Sequence, residues 1–506
     1  MRTKTTSLPA PIGGLNDRDS IADMPMTDAV VLENWWPYPS YLGVRKGSSN
    51  HVTGFTSPVE TLVEYLPTSG ASTLFAAAGT SIYNVTAAGT VGAAVQTGLT
   101  NARWQDAQIT TPGGSFIYLV NGADKPRLWN GATWVAVDDL STPHINHVTT
   151  TLLVHVCLFK NRLFFVERNS MSVWYLPVNS VGGNAAELDL GSIFRLGGSI
   201  MACYTWTIDA GNGADDHFVI VSTNGEVAVY RGTDPSTAAD WQIVGVFVLG
   251  RPLGRRCAVK YGGDLAINCM EGVFPLGKSL LSASVDRRVA LTDKIQNSVS
   301  LFANGYEASF GWQVALFPAA NMLILNVPLG SGVNFQYAQN TITGAWSKFT
   351  GWDANVWLNA SNGLYFGDDT TVKRAWNGNL DGTTPIVADV CGAFSFYSNR
   401  SNNKYWTMIR PYIQTTGTPS ILYALNTDFS LSDPNGVLIT TPFTGMTWGA
   451  MTWGTMVWGG GLTPTARWNT VGAVANSAAV RLKVQNNGAE VRYTNADVLY
   501  QVGGPL

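Results

Sequence analysis

The sequence has 506 residues, of which 45% are hydrophobic and only 13% are charged, and its formal net charge is −3. The slight negative charge argues against a dedicated nucleic-acid binder, which would carry a basic surface. No apolar run reaches the roughly 18 residues of a membrane-spanning helix, and the N-terminus lacks the apolar region of a signal peptide, so we expect neither. The small charged share favours a surface that other subunits largely cover.

Proline and glycine interrupt residues 1–50, which we predict to form an extended N-terminal arm. Its centre reads Trp35-Trp36-Pro37-Tyr38, and a residue that precedes proline is held in an extended backbone. These aromatic side chains either pack on the domain of their own chain or reach a neighbouring subunit. We therefore take Trp35, Trp36 and Tyr38 as candidate interface residues.

Residues 51–385 repeat one unit: an apolar strand, a turn, and a second strand that usually ends on an aromatic residue. The clearest copy is Phe218–Tyr230, in which Asn224-Gly225 supplies the positive φ angles of a two-residue hairpin turn. Similar units begin at residues 74, 116, 163, 218, 264, 322 and 363. A β-structured period of about 40 to 50 residues is typical of propeller blades. We predict an all-β chain with a propeller of six or seven blades, since one unit could lie outside the ring.

Residues 386–506 have a different texture, and we predict that they form an appended antiparallel domain resembling a β-sandwich. Within them, the segment 445–461 repeats a Trp-Gly pair every five residues, at Trp448, Trp453 and Trp458. These side chains form either an aromatic spine inside the sandwich or a contact surface for another subunit. We take all three as candidate interface residues that are buried in an assembly.

The sequence contains no persuasive active site. Adjacent carboxylates at Asp215-Asp216 and Asp368-Asp369 are typical of solvated turns, and His144-x-x-His147 lacks a third metal ligand. Gly131–Trp134 matches only the end of the Asp-box of sialidase propellers, and nucleotide and hydrolase motifs are absent. We predict a protein that is not an enzyme, without catalytic, cofactor-binding or metal-binding residues. Five scattered cysteines are expected to be buried reduced thiols: Cys157, Cys203, Cys257, Cys269 and Cys391.

Both ends of the chain resemble the tail nozzle, or packaged-DNA stabilisation, proteins of short-tailed bacteriophages. The C-terminal part of this resemblance is Arg481-Leu-Lys-Val and Val498-Leu-Tyr-Gln-Val-Gly-Gly504. The N-terminal part is Pro11-Ile-Gly-Gly-Leu-Asn-Asp-Arg-Asp-Ser20, then Met24, Asp28-Ala29, Leu32, Asn34, Pro37 and Gly43-Val-Arg-Lys-Gly47. The interior is similar only in its expected architecture.

This resemblance implies a ring, commonly a hexamer, that docks on a portal-bound adaptor and carries tail fibres or spikes. It further implies a channel that retains packaged double-stranded DNA without reading its sequence, and a protein that assembles in the host cytoplasm and resides in the virion tail. A mildly acidic chain suits such a channel, because tight phosphate contacts would slow DNA ejection. Two alternatives remain open: a propeller that binds or cleaves glycans, and a trimeric tail fibre or spike.

Overall fold

The computed structural model of the protein describes residues 3–209, 214–279, 287–330, 332–397, 399–440 and 461–505. The chain is all-β, with 52% strand and 6% helix, and its sheets have a β-propeller arrangement. The N-terminal strands are β1 (Thr3–Pro9), β2 (Gly14–Leu15), β3 (Asp28–Glu33), β4 (Trp35–Pro37), β5 (Leu42–Val44) and β6 (Ser48–Thr53).

The next two sheets are antiparallel and follow the chain order from one edge to the other. The first sheet contains β7 (Val59–Tyr65), β8 (Thr73–Ala78), β9 (Ser81–Asn84) and β11 (Ala94–Gln96), while β10 (Gly89–Thr90) pairs with β6. The second sheet contains β12 (Gln105–Thr111), β13 (Gly114–Val120), β14 (Arg127–Trp129) and β15 (Trp134–Ala136).

The third and fourth sheets repeat this plan. The third contains β17 (Leu153–Phe159), β18 (Arg162–Glu167), β19 (Ser172–Tyr175) and β21 (Ala186–Asp189), beside a short pair of β16 (Ile145–Asn146) and β20 (Gly183–Asn184). The fourth contains β22 (Ile200–Asp209), β23 (Ala214–Ser222), β24 (Glu226–Arg231) and β25 (Gln242–Val248). A 3₁₀ turn at Thr150–Leu152 leads into β17.

The fifth sheet has three strands, β26 (Ala258–Tyr261), β27 (Asp264–Cys269) and β28 (Gly272–Pro275). Two α-helices lie in the described part of the chain after it, α1 (Leu276–Ser279) and α2 (Gln296–Tyr306), with 3₁₀ turns at Arg287–Val289 and Asp293–Ile295. The chain continues into β29 (Gln313–Phe317), β30 (Met322–Pro328), β31 (Asn334–Asn340) and β32 (Trp346–Phe349), with a 3₁₀ turn at Pro318–Ala320.

The last strands of the repeated region are β33 (Val356–Ala360), β34 (Gly363–Gly367), β35 (Thr371–Ala375), β36 (Leu380–Asp381) and β37 (Thr384–Pro385). The C-terminal strands are β38 (Val387–Gly392), β39 (Asn402–Thr415), β40 (Ser420–Thr427), β41 (Thr463–Ala466), β42 (Asn469–Ala475), β43 (Ala478–Gln485) and β44 (Val491–Pro505).

All seven hairpins predicted from the sequence are paired antiparallel strands. The opening example, Phe218–Tyr230, joins β23 to β24 through Gly225, whose φ of 88° a side chain would strain. The predicted two-residue turn is wrong in detail, because three residues, 223–225, separate the two strands and Asn224 does not have a positive φ. The other six pairs are β8 with β9, β13 with β14, β18 with β19, β27 with β28, β30 with β31, and β34 with β35.

The blade count differs from the sequence-based prediction, because five blades are found rather than six or seven. The sheets described above as the first to the fifth each stand alone. In contrast, β29–β32 continue through β3 into the C-terminal strands β38, β43 and β40, and β33–β35 continue into β6. Recruitment of strands from both ends of the chain thus extends the last two repeats into larger sheets.

The hydrophobic cores lie between neighbouring sheets, as the two-layer principle of sheet packing requires. Phe164 of the third sheet and Phe218 of the fourth have ring centroids 4.4 Å apart, within a cluster that both sheets bury. The first strands of successive sheets also touch around a ring, from β7 to β12, β17 and β22, then through β26–β28 to β29, β33 and back to β7. These strands line a central cavity of about 690 Å³, which we call the propeller channel.

The N-terminal segment pairs with the end of the chain rather than extending freely. β1 runs antiparallel along β44, β5 pairs with β44, and β3 lies between β32 and β38. Two antiparallel layers of C-terminal strands, one containing β39 and β44 and the other β38, β43 and β40, share one hydrophobic core with β29–β32. This shared core explains why the sixth repeat and the C-terminal strands form one sheet.

Candidate functional site

Residues of the N-terminal resemblance meet strands from the end of the repeated region in one buried polar cluster. We call Asn34, Arg45, Thr350, Trp352 and Asp381 the junction. The Arg45 side chain is only 1% exposed, and its Nη2 lies 2.6 Å from Asp381 Oδ2 and its Nη1 3.1 Å from Oδ1. Its Nε donates to Asn34 Oδ1 at 2.9 Å, its Nη2 donates to the Thr350 carbonyl at 2.6 Å, and the guanidinium lies 4.3 Å above the Trp352 ring. With its charge paired and its donors occupied, Arg45 is a structural tie rather than a ligand-binding group.

The glycines of the same motifs are needed because the backbone approaches other atoms closely. A Cβ on Gly13 would lie 2.1 Å from Asp28 Oδ1, and one on Gly14, which has a φ of 88°, would lie 2.6 Å from the Trp346 nitrogen. A Cβ on Gly47 would lie 1.9 Å from the Leu380 carbonyl oxygen. No side chain fits at these positions without movement of the backbone.

Charged residues of the resemblance also form internal ties. The side chain of Asp28 is only 1% exposed, and it accepts a hydrogen bond from Asn16 Nδ2 at 2.8 Å. It also lies 2.9 Å from Nζ of Lys294, a residue just before α2. In the C-terminal part, Arg481 donates two hydrogen bonds to Asp389, at 3.0 and 2.7 Å. The motif residues at both ends therefore hold the fold together.

The candidate interface residues Trp35 and Trp36 are buried inside their own chain, which corrects the expectation that they could reach another subunit. They are 0% and 1% exposed, and as consecutive residues of β4 they point to opposite faces. Trp35 belongs to the core shared with the C-terminal strands, whereas Trp36 packs among the strands β29–β35. Alternation along one strand therefore lets the pair join two cores.

Tyr38 is half-buried, and its ring stacks on Tyr41 at a centroid distance of 4.6 Å. Burial raises the pKa of its hydroxyl to about 12. Arg492 of β44 lies 4.7 Å from the Tyr41 ring centroid, so this aromatic pair also contacts the C-terminal strands. The other candidate interface residues, Trp448, Trp453 and Trp458, lie outside the described residues.

Ionisable groups of the described residues lie in or beside the propeller channel, and two of them have strongly shifted pKa values. Asp106 lies in this space of about 690 Å³ and is exposed to the water there. Because the surrounding strands enclose the space, desolvation still raises the pKa of Asp106 to about 6. Burial lowers the pKa of His155 to about 3, and its Nδ1 accepts a hydrogen bond from the Cys203 backbone at 3.4 Å. His155 is therefore a neutral internal acceptor at physiological pH.

Three of the other groups considered from the sequence, Asp216, Asp368 and His147, have local partners. Asp216 pairs with Lys160 at 3.0 Å, and Asp368 accepts hydrogen bonds from the Thr371 backbone and hydroxyl at 2.6 and 2.8 Å. His147 Nδ1 lies 3.2 Å from the Ala185 carbonyl. Over the described ranges, no three His, Cys, Asp or Glu side chains form a group that could hold a metal ion. The five cysteines are free thiols, and four of them are buried.

The fourth sheet has an exposed apolar edge that the sequence did not lead us to expect. Among the described strands, β25 pairs only with β24 and forms the outer edge of this sheet. It contains no charged residue, and Ile243, Val244, Val246 and Val248 are 37–53% exposed. Edge strands usually carry lysine, proline or other charge that prevents pairing with further strands. The uncharged run Gln242–Val248 is the signal that could have identified this surface.

No family model matches this chain, and no curated protein matches it. Among solved structures, the crystal structure of BBS1N in complex with ARL6DN, soaked with lead, is 14% identical with a TM-score of 0.28, over 45% of this chain and 71% of the other. The AfRom2 CNH domain is 11% identical with a TM-score of 0.33, over 56% of this chain and 89% of the other. None of the described helices is long and apolar enough to cross a membrane.

Proposed function

We propose that this chain is the structural subunit of a tail nozzle in a short-tailed bacteriophage, as its resemblance to that family implies. Six copies form a ring below the portal-bound adaptor, close the channel over the packaged DNA and anchor tail fibres or spikes. The subunit is not an enzyme, and it acts in the virion tail after assembly in the host cytoplasm.

The observation that carries this proposal is the placement of the residues on which the resemblance rests. Gly13, Gly14 and Gly47 occupy positions without room for a side chain, and Arg45 and Arg481 each form a buried ion pair with a distant residue. A family that shared this fold would keep these residues for steric and electrostatic reasons. They support common ancestry with the nozzle proteins more strongly than exposed residues would.

We further propose that β29–β32 and the sheet β33-β34-β35-β6 serve as two additional blades, which makes a propeller of seven. Each contains one of the predicted hairpins as two inner strands, in the same position as in the four separate blades that have four strands. The contacts among first strands also pass through β29 and β33 before they return to β7. A closed ring gives a rigid body, which suits a subunit that must hold its shape under the pressure of packaged DNA.

The edge strand β25 is the described surface that best suits contact with a second copy of the chain. Its backbone donors and acceptors on the outer side are available to another strand, and its exposed valines provide apolar area. Such contacts account for the small share of charged residues, because interface cores are depleted in charge.

Native mass spectrometry of the purified full chain tests the proposal. A nozzle subunit gives a species of six copies, alone or after addition of the adaptor protein. A chain that stays monomeric with its adaptor contradicts the nozzle role. A trimer instead favours a tail fibre or spike, and cleavage of a host-surface glycan favours the glycan-active alternative.

A further inference from the structure

We propose that a cavity at one mouth of the propeller channel binds a small oxyanion, such as inorganic phosphate or the phosphate group of a small metabolite. The cavity has a volume of about 330 Å³, and three guanidinium groups line it, from Arg103, Arg255 and Arg256. The loop between α2 and β29 closes one side with Phe310 and Glu307. We call this space the mouth cavity, and its role does not depend on the nozzle proposal.

The charges around the mouth cavity do not balance. Arg103 is paired with Glu60 at 3.0 Å, and Glu307, the one carboxylate among the described residues that line the cavity, is paired with Arg251. Within the described ranges, no carboxylate lies within ion-pair distance of Arg255 or Arg256. The cavity is therefore a local positive site on a chain whose formal net charge is −3.

The guanidinium groups of Arg255 and Arg256 make hydrogen bonds only to neutral groups. Arg255 Nη1 donates to the Met201 carbonyl at 2.7 Å. Arg256 donates to the Glu60 and Trp104 carbonyls at 3.0 and 2.9 Å and to the Thr61 hydroxyl at 2.9 Å. These bonds fix the position of each guanidinium without neutralising its charge. Arg255 and Arg256 are only partly exposed, so an adjacent pair of cations without a carboxylate partner that faces a cavity is suited to bind an anion.

Desolvation gives the same indication. Burial lowers the pKa of Arg255, and it lowers the pKa of Arg256 to about 10, with Asp106 acting against that shift. Desolvation therefore makes the charged form of both guanidinium groups less favourable, and a bound anion would offset this effect. The Phe310 ring lies 4.5 Å from the Arg103 guanidinium and 5.6 Å from that of Arg256, which further restrains the two groups.

The geometry favours phosphate-like ligands over halide. A guanidinium presents planar, paired donors that match two oxygens of one phosphate or carboxylate group. The volume is at the small end of the range for ligand pockets, so it admits phosphate or a small phosphomonoester but excludes a large cofactor. Phe310, Trp312 and Val154 provide an apolar wall for the organic part of such an ester.

The test is thermal unfolding of the full chain in rising phosphate, compared with sodium chloride at equal ionic strength. We expect the melting temperature to rise and saturate with phosphate but not with chloride. Glycerol phosphate distinguishes the two sources: tighter binding than phosphate indicates a phosphomonoester, and equal binding indicates the free ion. A wild-type protein without a phosphate-specific rise would overturn the proposal.

Variants locate the effect. Arg255→Gln should weaken phosphate binding at least tenfold, Arg255→Lys should retain part of it, and Arg231→Gln, which removes an exposed charge from β24, should leave it unchanged. If Arg255→Gln does not fold, Arg103→Gln decides, because that side chain is 55% exposed and its replacement is tolerated more easily. Binding that is equal in wild type and in the folded cavity variant would place the ion elsewhere and contradict the proposal.

Discussion

Arg45 and Asp381 form a two-point ion pair between residues that are 336 positions apart in the chain. Asp381 Oδ1 also accepts hydrogen bonds from Trp352 Nε1 at 3.0 Å and from the Ser48 hydroxyl at 3.1 Å. One carboxylate thus connects the N-terminal segment, the strand β6 and the segment after β32. Because β6 pairs with β35, this pair lies where the first and last parts of the repeated region meet.

Arg45→Met should destabilise the protein by about 3 to 5 kcal/mol, because it leaves the Asp381 carboxylate without its cation in a largely buried site. Urea unfolding followed by tryptophan fluorescence measures this loss. The matched control is Lys46→Met, whose side chain is about a third exposed and 3.7 Å from Glu490, so its loss should stay below about 1 kcal/mol. Equal stability of the two variants would show that the junction does not hold the ends together.

Gly47→Ala should cost about 3 kcal/mol or more, since the added methyl group would overlap the Leu380 carbonyl oxygen and displace β36. Gly92→Ala is the control, because a Cβ there meets no atom within 4 Å. Thermal unfolding of both variants checks this prediction. A Gly47→Ala protein as stable as Gly92→Ala would mean that the backbone at this motif can move apart without cost.

Asp106→Asn should stabilise the protein above pH 6 by about 1 kcal/mol, a value reduced from that of a dry site because water reaches the carboxylate. Desolvation raises the pKa of this group from 3.8 to about 6, so the folded state binds its proton more tightly than the unfolded state. The loss of wild-type stability that ionised Asp106 causes is therefore complete above pH 6, declines as the pH falls from 6 to 4, and is absent below pH 4.

Unfolding of wild type and Asp106→Asn between pH 4 and 8 measures this dependence. Asp139→Asn, which replaces an exposed carboxylate, is the matched control and should have the stability of wild type at pH 8. An Asp106→Asn variant that is less stable than wild type at pH 8 would contradict the unfavourable ionisation of Asp106.

Val246→Lys together with Val248→Lys should prevent assembly while leaving the subunit folded, because both side chains are exposed on the edge strand β25. Size-exclusion chromatography with light scattering reports the oligomeric state, and circular dichroism reports the fold. Thr237→Lys together with Ala238→Lys, in the exposed loop before β25, is a charge-matched control that should assemble normally. Assembly of the double variant at wild-type concentrations would place the subunit contact on another surface.

The sequence predicted the hairpins well because their information is local. Gly225 supplies the positive φ that the turn needs, and the flanking Val and Ile residues favour strands. The pairing of β1 with β44 could not be predicted, because no local pattern specifies a partner almost 500 residues away. The same long-range pairing inserted β3 beside β32 and changed the count of separate blades.

The role of aromatic residues was harder to predict than their burial. We could expect Trp35 and Trp36 to be buried because both side chains are large and apolar. The sequence does not show whether they are buried in the core of their own chain or in an interface. The mouth cavity could not be predicted from the sequence either, because its residues come together from three separate segments: Arg103, Arg255-Arg256 and Phe310. The exposed edge of β25 could have been predicted from its lack of charged residues, whereas the spacing of the hairpins contains no information about it.

Class averages of the purified oligomer by electron microscopy test the central claim most directly. The nozzle account predicts a ring with six-fold symmetry and an open or gated central hole, formed by this chain alone or on its adaptor. A three-fold elongated rod, or a monomer that does not assemble with the adaptor, would contradict it.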